Sequence, residues 1–273
     1  MAEQYSINIP AHQNIYTGTS NRELRIDFST PQNGVNEETG LVVFVPGFGG
    51  NIDSKVYKKM REVMADKYNL ITIQCEYFGS KYMQSAESFN VQDTKFIESL
   101  LSENELRMIK EKPSNLLNIL SSKDIELHVL ANINEDLEEF NDMSYMQAID
   151  IITAIESVKI IMADNDLKFN ENRIIGYGHS HGAYLLHLCN ILDPYLFSFI
   201  IDNSAWTQPV YLSHNRILGQ KVNKLTLVVK FDYIAKKILK DASRLNLKSL
   251  YQSYNNMAQI LAFQGENDKM WII

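Results

Sequence analysis

Cysteine is scarce: Cys75 and Cys189 are the only two in 273 residues, and neither has a CxxC partner or a neighbouring cluster of ligand residues. A disulfide framework and a zinc site are therefore excluded. Both thiols are expected to be buried in a reducing compartment, with no metal and no cofactor in the protein. Long apolar runs are missing as well. No stretch approaches the ~18 apolar residues of a membrane helix, and Met1-Ala2-Glu3-Gln4-Tyr5-Ser6 lacks the cationic start and apolar core of an export signal. A cytoplasmic protein without a membrane span is the expectation. Positive charge is in deficit, with 26 Lys and Arg against 33 Asp and Glu, a net charge of −7. This balance argues against a nucleic-acid partner, whose phosphates would have to be neutralised.

What remains is ordinary globular material, 45% apolar and 22% charged, at a length near the upper end of what one hydrophobic core supports. One domain spanning 1–273 is expected. Its charge is uneven: Glu87 to Asp142 holds 13 acidic and 5 basic side chains, and Arg216 to Lys248 holds 9 basic and 2 acidic. Solvated helical faces, set against each other across the fold, account for such segments more simply than a docking patch does.

Hydrophobic periodicity orders the chain. Alternation between Tyr5 and Phe28, followed by the turn-rich Thr30-Pro31-Gln32-Asn33-Gly34, suggests antiparallel strands at a sheet edge. Leu41-Val42-Val43-Phe44-Val45 is a continuous run stopped by Pro46-Gly47-Phe48-Gly49-Gly50, the pattern of a strand buried on both faces. Helical spacing of Val56, Met60, Val63 and Met64 leads into the buried run Leu70-Ile71-Thr72-Ile73, which makes a right-handed βαβ unit. From 80 to 141 the pattern loosens into short helices, over Thr94–Lys112 and Ser114–Leu120, with one apolar patch at Ile125–Ile133. That length reads as a helical insertion decorating the sheet. A strong helix over Ser144–Met162, the strand Arg173–Gly178, a helix from Ala183 to Asn190, and strands at Phe197–Ile201 and Gln259–Phe263 complete an α/β doubly wound sheet, mostly parallel with helices on both faces.

The chemistry concentrates in Gly178-His179-Ser180-His181-Gly182, a G-x-S-x-G pattern between a predicted strand and a predicted helix. A tight strand-to-helix turn lifts a serine hydroxyl above the sheet, and the flanking glycines stand where side chains would collide. The following helix start aims its free amides at the same point, so the backbone N–H of His181 can stabilise a developing oxyanion. The glycine-rich turn after the earlier strand supplies a second donor, the N–H of Phe48 or else of Gly49. A plain turn or a phosphate cradle is the alternative, but no Gly-Lys-Ser, Gly-Lys-Thr or G-x-G-x-x-G follows. A third element, Gly265-Glu266-Asn267-Asp268, puts carboxylates on the turn after the strand ending at Phe263, where an acid can orient a histidine. Asp202, after Phe197–Ile201, is the alternative acid, and a turn without a role is the plain reading of the Asn-Asp pair.

In this order the glycine-rich turn, the serine elbow and the acid turn resemble the α/β-hydrolase superfamily over roughly Leu41 to Asp268. Ser180-His181-Gly182-Ala183-Tyr184 is similar to the elbow of prolyl-oligopeptidase-like peptidases and esterases, and the acidic insertion resembles an uncharacterised bacterial branch of hydrolase-like proteins. The resemblance implies Ser180 as nucleophile, Asp268 as acid, and the amides of Phe48 and His181 as oxyanion donors. It also implies a histidine after the acid, and here the sequence departs: only Lys269-Met270-Trp271-Ile272-Ile273 follow Asp268. The expectation is a chain stopping one strand and one helix early, with Gln259–Phe263 left as an apolar edge. The six histidines, His12, His128, His179, His181, His187 and His214, all precede the acid turn. His179 and His181 flank the serine and project away from it, His187 reads as helix packing, and His214 is the alternative base if its loop folds over Ser180.

Three functions follow from this reading. The first is a serine hydrolase acting on a small-molecule ester, amide or glycan-linked acyl group, weak or inactive for want of its base. A non-catalytic binding or scaffold protein on the same fold is the second, and acyl transfer to a sugar or other alcohol the third.

Overall fold

The computed structural model describes residues 1–266. Among them, seven strands form one sheet: β1 (Glu3–Pro10), β2 (Glu23–Thr30), β3 (Gly40–Val45), β4 (Leu70–Cys75), β7 (Ile174–His179), β8 (Phe199–Asn203) and β11 (Gln259–Phe263), in the order β1-β2-β4-β3-β7-β8-β11. β1, β2 and β4 are antiparallel to their neighbours in turn, and the pairs from β4 through β3, β7 and β8 to β11 are parallel. β1 is the antiparallel edge expected from the alternation between Tyr5 and Phe28. β11 closes the other side among the described residues, and its side chains are exposed.

The continuous apolar run of β3 is explained by its two neighbours. Leu41, Val43 and Val45 face a core shared with α5 (Tyr145–Asp164) and α6 (His181–Leu192), while Val42 and Phe44 face α1 (Lys55–Tyr68). Both faces of the central strand are thus covered, which is why it shows no polar alternation. α1 sits rotated from the face its apolar spacing suggests. Arg61 and Ala65 are buried while Val56 and Val63 point outward. The reason is polar: Arg61 reaches through to Asp27 on β2 (3.1 Å) and to Gln74 on β4, so a buried ion pair sets the helix's rotation.

The segment 80–141 holds more than helices. It contains β5 (Ser88–Val91), α2 (Thr94–Leu100), α3 (Glu103–Glu111), α4 (Asn115–Ser121) and β6 (Glu126–Asn132). The basic segment begins with β9 (Arg216–Val222) and β10 (Leu225–Phe231), followed by α7 (Ala235–Ile238) and α8 (Leu247–Ser253). These strands make a second sheet of order β5-β6-β10-β9, in which β6 from the acidic segment pairs in parallel with β10 from the basic one. The expected pair of helical faces is therefore a shared sheet, where Thr226 stands opposite Glu126. A separate apolar core lies under it, built from Leu127, Val129 and Ile133 of the first segment and Leu225, Val229 and Phe231 of the second.

Candidate active site

Ser180 occupies the corner between β7 and α6 with φ 53 and ψ −119, left-handed backbone that a residue with a Cβ adopts only under constraint. Two glycines make the corner possible. A Cβ on Gly178 would stand 2.4 Å from the Cα of Ala183, and one on Gly182 would stand 2.1 Å from the carbonyl oxygen of Val45. The helix therefore starts hard against the ends of β7 and β3, and any side chain at either position would push it away. The Ser180 amide donates to the carbonyl of Asn203 at the end of β8 (2.8 Å), which pins the corner from the other side.

The glycine-rich turn after β3 faces this corner. The Gly49 amide is already directed at Met83 Sδ (3.2 Å) and the Gly50 amide at the Gly47 carbonyl (2.8 Å), which leaves the amide of Phe48 without an acceptor among the described residues. Of the two sequence candidates for a second donor, Phe48 is the one not already engaged. Its carbonyl is held by Gln84 Nε2 (2.8 Å). Its ring stacks on Trp206 (5.4 Å between centroids) and meets His181, Tyr211 and Tyr233 edge-on at 5.3, 5.1 and 5.9 Å. The same ring touches the core of the main sheet and the core of the second sheet, so the turn is clamped where the two meet.

Ser180, His179 and the turn open onto a cavity of about 370 Å³ whose far wall is Trp206, Tyr211 and Arg216. Met83 and Gln84 bring the 80–141 segment against the turn, but the wall itself comes from 206–216. His181 lies beneath, fully buried against Phe48 and Trp206, with neither ring nitrogen hydrogen-bonded. Burial, with the nearby Arg216 charge adding to it, holds its pKa down at about 3, so the imidazole is neutral.

The remaining sequence candidates are scattered. Asp268 lies outside the described residues. Asp202 binds His187 Nε2 (3.0 Å) and the amide of Ala205 (2.7 Å), and His187 Nδ1 meets the Tyr251 hydroxyl (2.7 Å). His187 is seven residues beyond Ser180 on α6, about 10 Å along the axis, so this acid–histidine pair ties α6 to β8 and α8 rather than serving the serine. His214 is exposed and is not among the residues lining the cavity, although Tyr211 and Arg216 on either side of it are. Among the described residues no imidazole nitrogen is hydrogen-bonded to the Ser180 hydroxyl. Trp206, Tyr211 and Arg216 were not singled out from the sequence as site residues. The one signal they carry is an indole and a basic residue ten positions apart in the stretch that follows a strand.

The strand order, the left-handed serine at a strand-to-helix corner and the glycine turn beside it define an α/β-hydrolase fold. The chain belongs to the family described as "Protein of unknown function (DUF2920)", whose model matches residues 7–268. No curated protein matches. Among solved structures, the chain resembles Est1E from Butyrivibrio proteoclasticus with ferulic acid bound, at 13% identity and a TM-score of 0.50 over 96% of this chain and 81% of that one. It also resembles the acylaminoacyl peptidase of Pyrococcus horikoshii (12% identity, TM-score 0.49, 96% of this chain and 32% of that one). A third is brefeldin A esterase, a bacterial homologue of human hormone-sensitive lipase (12%, 0.43, 77% of this chain and 42% of that one). The chain thus spans less than half the length of the last two. No helix of the described residues is long and apolar enough to cross a membrane.

Proposed function

We propose that the protein is a serine hydrolase of esterase or peptidase type that forms an acyl-enzyme on Ser180. The observation that carries this reading is Ser180 itself, a non-glycine residue at φ 53 on a strand-to-helix corner, open to a cavity that the glycine-rich turn also lines. Ser180 Oγ attacks the carbonyl carbon of a small ester or amide, the two amides hold the oxyanion, and the alcohol or amine leaves with a proton. Water then releases the acid and restores the hydroxyl. Asp268 remains the proposed acid of this site.

Turnover is slow in this reading, since no base contacts the hydroxyl among the described residues; loss of a triad base costs on the order of a millionfold. The same observation favours a second reading, a binding protein that keeps the cleft without turnover. Reaction with a fluorophosphonate, followed by intact mass, separates the two without needing multiple turnovers. A single adduct on Ser180, absent from Ser180→Ala, together with slow Ser180-dependent hydrolysis of activated short-chain esters, is the expected result. No adduct and no hydrolysis would leave the binding protein.

A further inference from the structure

Arg216 is a buried cation for which the described residues supply no counter-ion. The residue is 8% exposed, its Nε and Nη1 have no hydrogen-bond partner, and among the described residues no carboxylate pairs with it. Its guanidinium lies 4.5 Å over the Phe48 ring and 5.6 Å from that of Tyr211, and the neutral Tyr233 hydroxyl beside it is itself committed to the Met83 carbonyl (2.6 Å). Ring stacking offsets only part of the cost of holding such a group away from water. A guanidinium in this state calls for an anion, and it forms a wall of the same cavity that Ser180 enters. The rest of the lining holds no carboxylate and no second Lys or Arg, and Phe48, Tyr57, Trp206 and Tyr211 give it aromatic faces.

We infer that the substrate is a compact ester carrying a free carboxylate, which Arg216 holds while the scissile carbonyl sits at Ser180. This inference rests on the reading of Ser180 as nucleophile, and deepens it by naming the substrate class. The aromatic faces take the carbon chain between the two groups. Ser180 and Arg216 line one cavity of about 370 Å³, so the ester and the carboxylate belong to the same compact molecule.

The test is binding to the Ser180→Ala chain, where no turnover interferes. Monomethyl glutarate, an ester with a free carboxylate, is titrated by calorimetry against the neutral dimethyl glutarate, with inorganic phosphate as a third arm. The acid ester is expected to bind about tenfold to a hundredfold more tightly than the diester. That preference should collapse when Arg216→Met is added, which keeps an apolar stem over Phe48, and survive in reduced form with Arg216→Lys. Equal affinity for the two esters, or a preference untouched by Arg216→Met, overturns the inference. Phosphate binding as tightly as the acid ester overturns the ester assignment in favour of a phosphate site. If Arg216→Met does not fold, the comparison of the two esters on the Arg216-containing chain still decides. Fluorophosphonate labelling of Ser180 without any carboxylate preference would sink this inference alone, whereas a preference without labelling would sink the hydrolase reading and leave the anion site standing.

Discussion

His181 places an imidazole where neither water nor a hydrogen-bond partner reaches it, with its pKa held at about 3 by burial first and the Arg216 charge second. The sign of its effect on stability follows from linkage. The unfolded chain takes a proton at His181 near the ordinary value of 6.5 while the folded chain does not, so stability is lost as pH falls below about 6.5. Each pH unit in that window costs about 1.4 kcal/mol from this residue. Between pH ~7.5 and pH ~5, His181→Leu, which keeps the backbone amide and roughly the volume, is expected to lose about 2 kcal/mol less than the parent chain. Urea midpoints at the two pH values measure the difference, and parallel losses in both chains would show that His181 is not the group responsible.

At the scale of elements, the site depends on how closely α6 approaches β3. Gly182 sits in the first turn of a helix, where alanine normally stabilises by about 1 kcal/mol. Here the added carbon would stand 2.1 Å from the Val45 oxygen and 2.4 Å from that of Pro46, backbone atoms that cannot swing aside. The clash wins, so Gly182→Ala should destabilise on the order of 3 kcal/mol and shift the glycine turn, lowering Ser180-dependent hydrolysis further than the stability loss explains. Gly219→Ala on β9 is the control: nothing lies within 4 Å of its new carbon, and its melting temperature should match or slightly exceed that of the parent. This close approach was legible in advance. Gly178 and Gly182 bracket the serine within five residues, and a corner that short packs helix onto strand only where no Cβ intervenes.

At the scale of the molecule, one buried ion pair joins three distant parts. Asp150 on α5, its side chain fully buried, accepts from Arg22 Nη2 (2.7 Å) and from the Phe78 amide (2.8 Å). Arg22 belongs to the connection between β1 and β2, and Phe78 to the chain entering the 80–141 segment. Asp150→Asn keeps an acceptor for Phe78 but leaves the Arg22 charge, only 16% exposed, without its partner. A loss of about 3 kcal/mol is expected from denaturant unfolding, since breaking one side of a buried pair strands the other charge. A change within about 0.5 kcal/mol, the level of ordinary surface substitutions, would place Arg22 in solvent instead.

The sequence by itself determined the parts of this protein that are local. The buried run of β3, the helix of α5 and the serine corner each announce themselves within a few residues, because periodicity and steric exclusion act over that range. The second sheet could not be read this way. β6 and β10 lie about a hundred residues apart and pair only once the chain has returned, and helical periodicity in the flanking segment 94–121 hid the strand character of its neighbours. The cavity wall shares that origin. Trp206, Tyr211 and Arg216 are inconspicuous in sequence, and only the meeting of two cores at Phe48 turns them into a lining with a charge that no described residue pairs. Chain connectivity within five residues therefore decided the geometry of the serine corner, while long-range packing decided what that geometry faces.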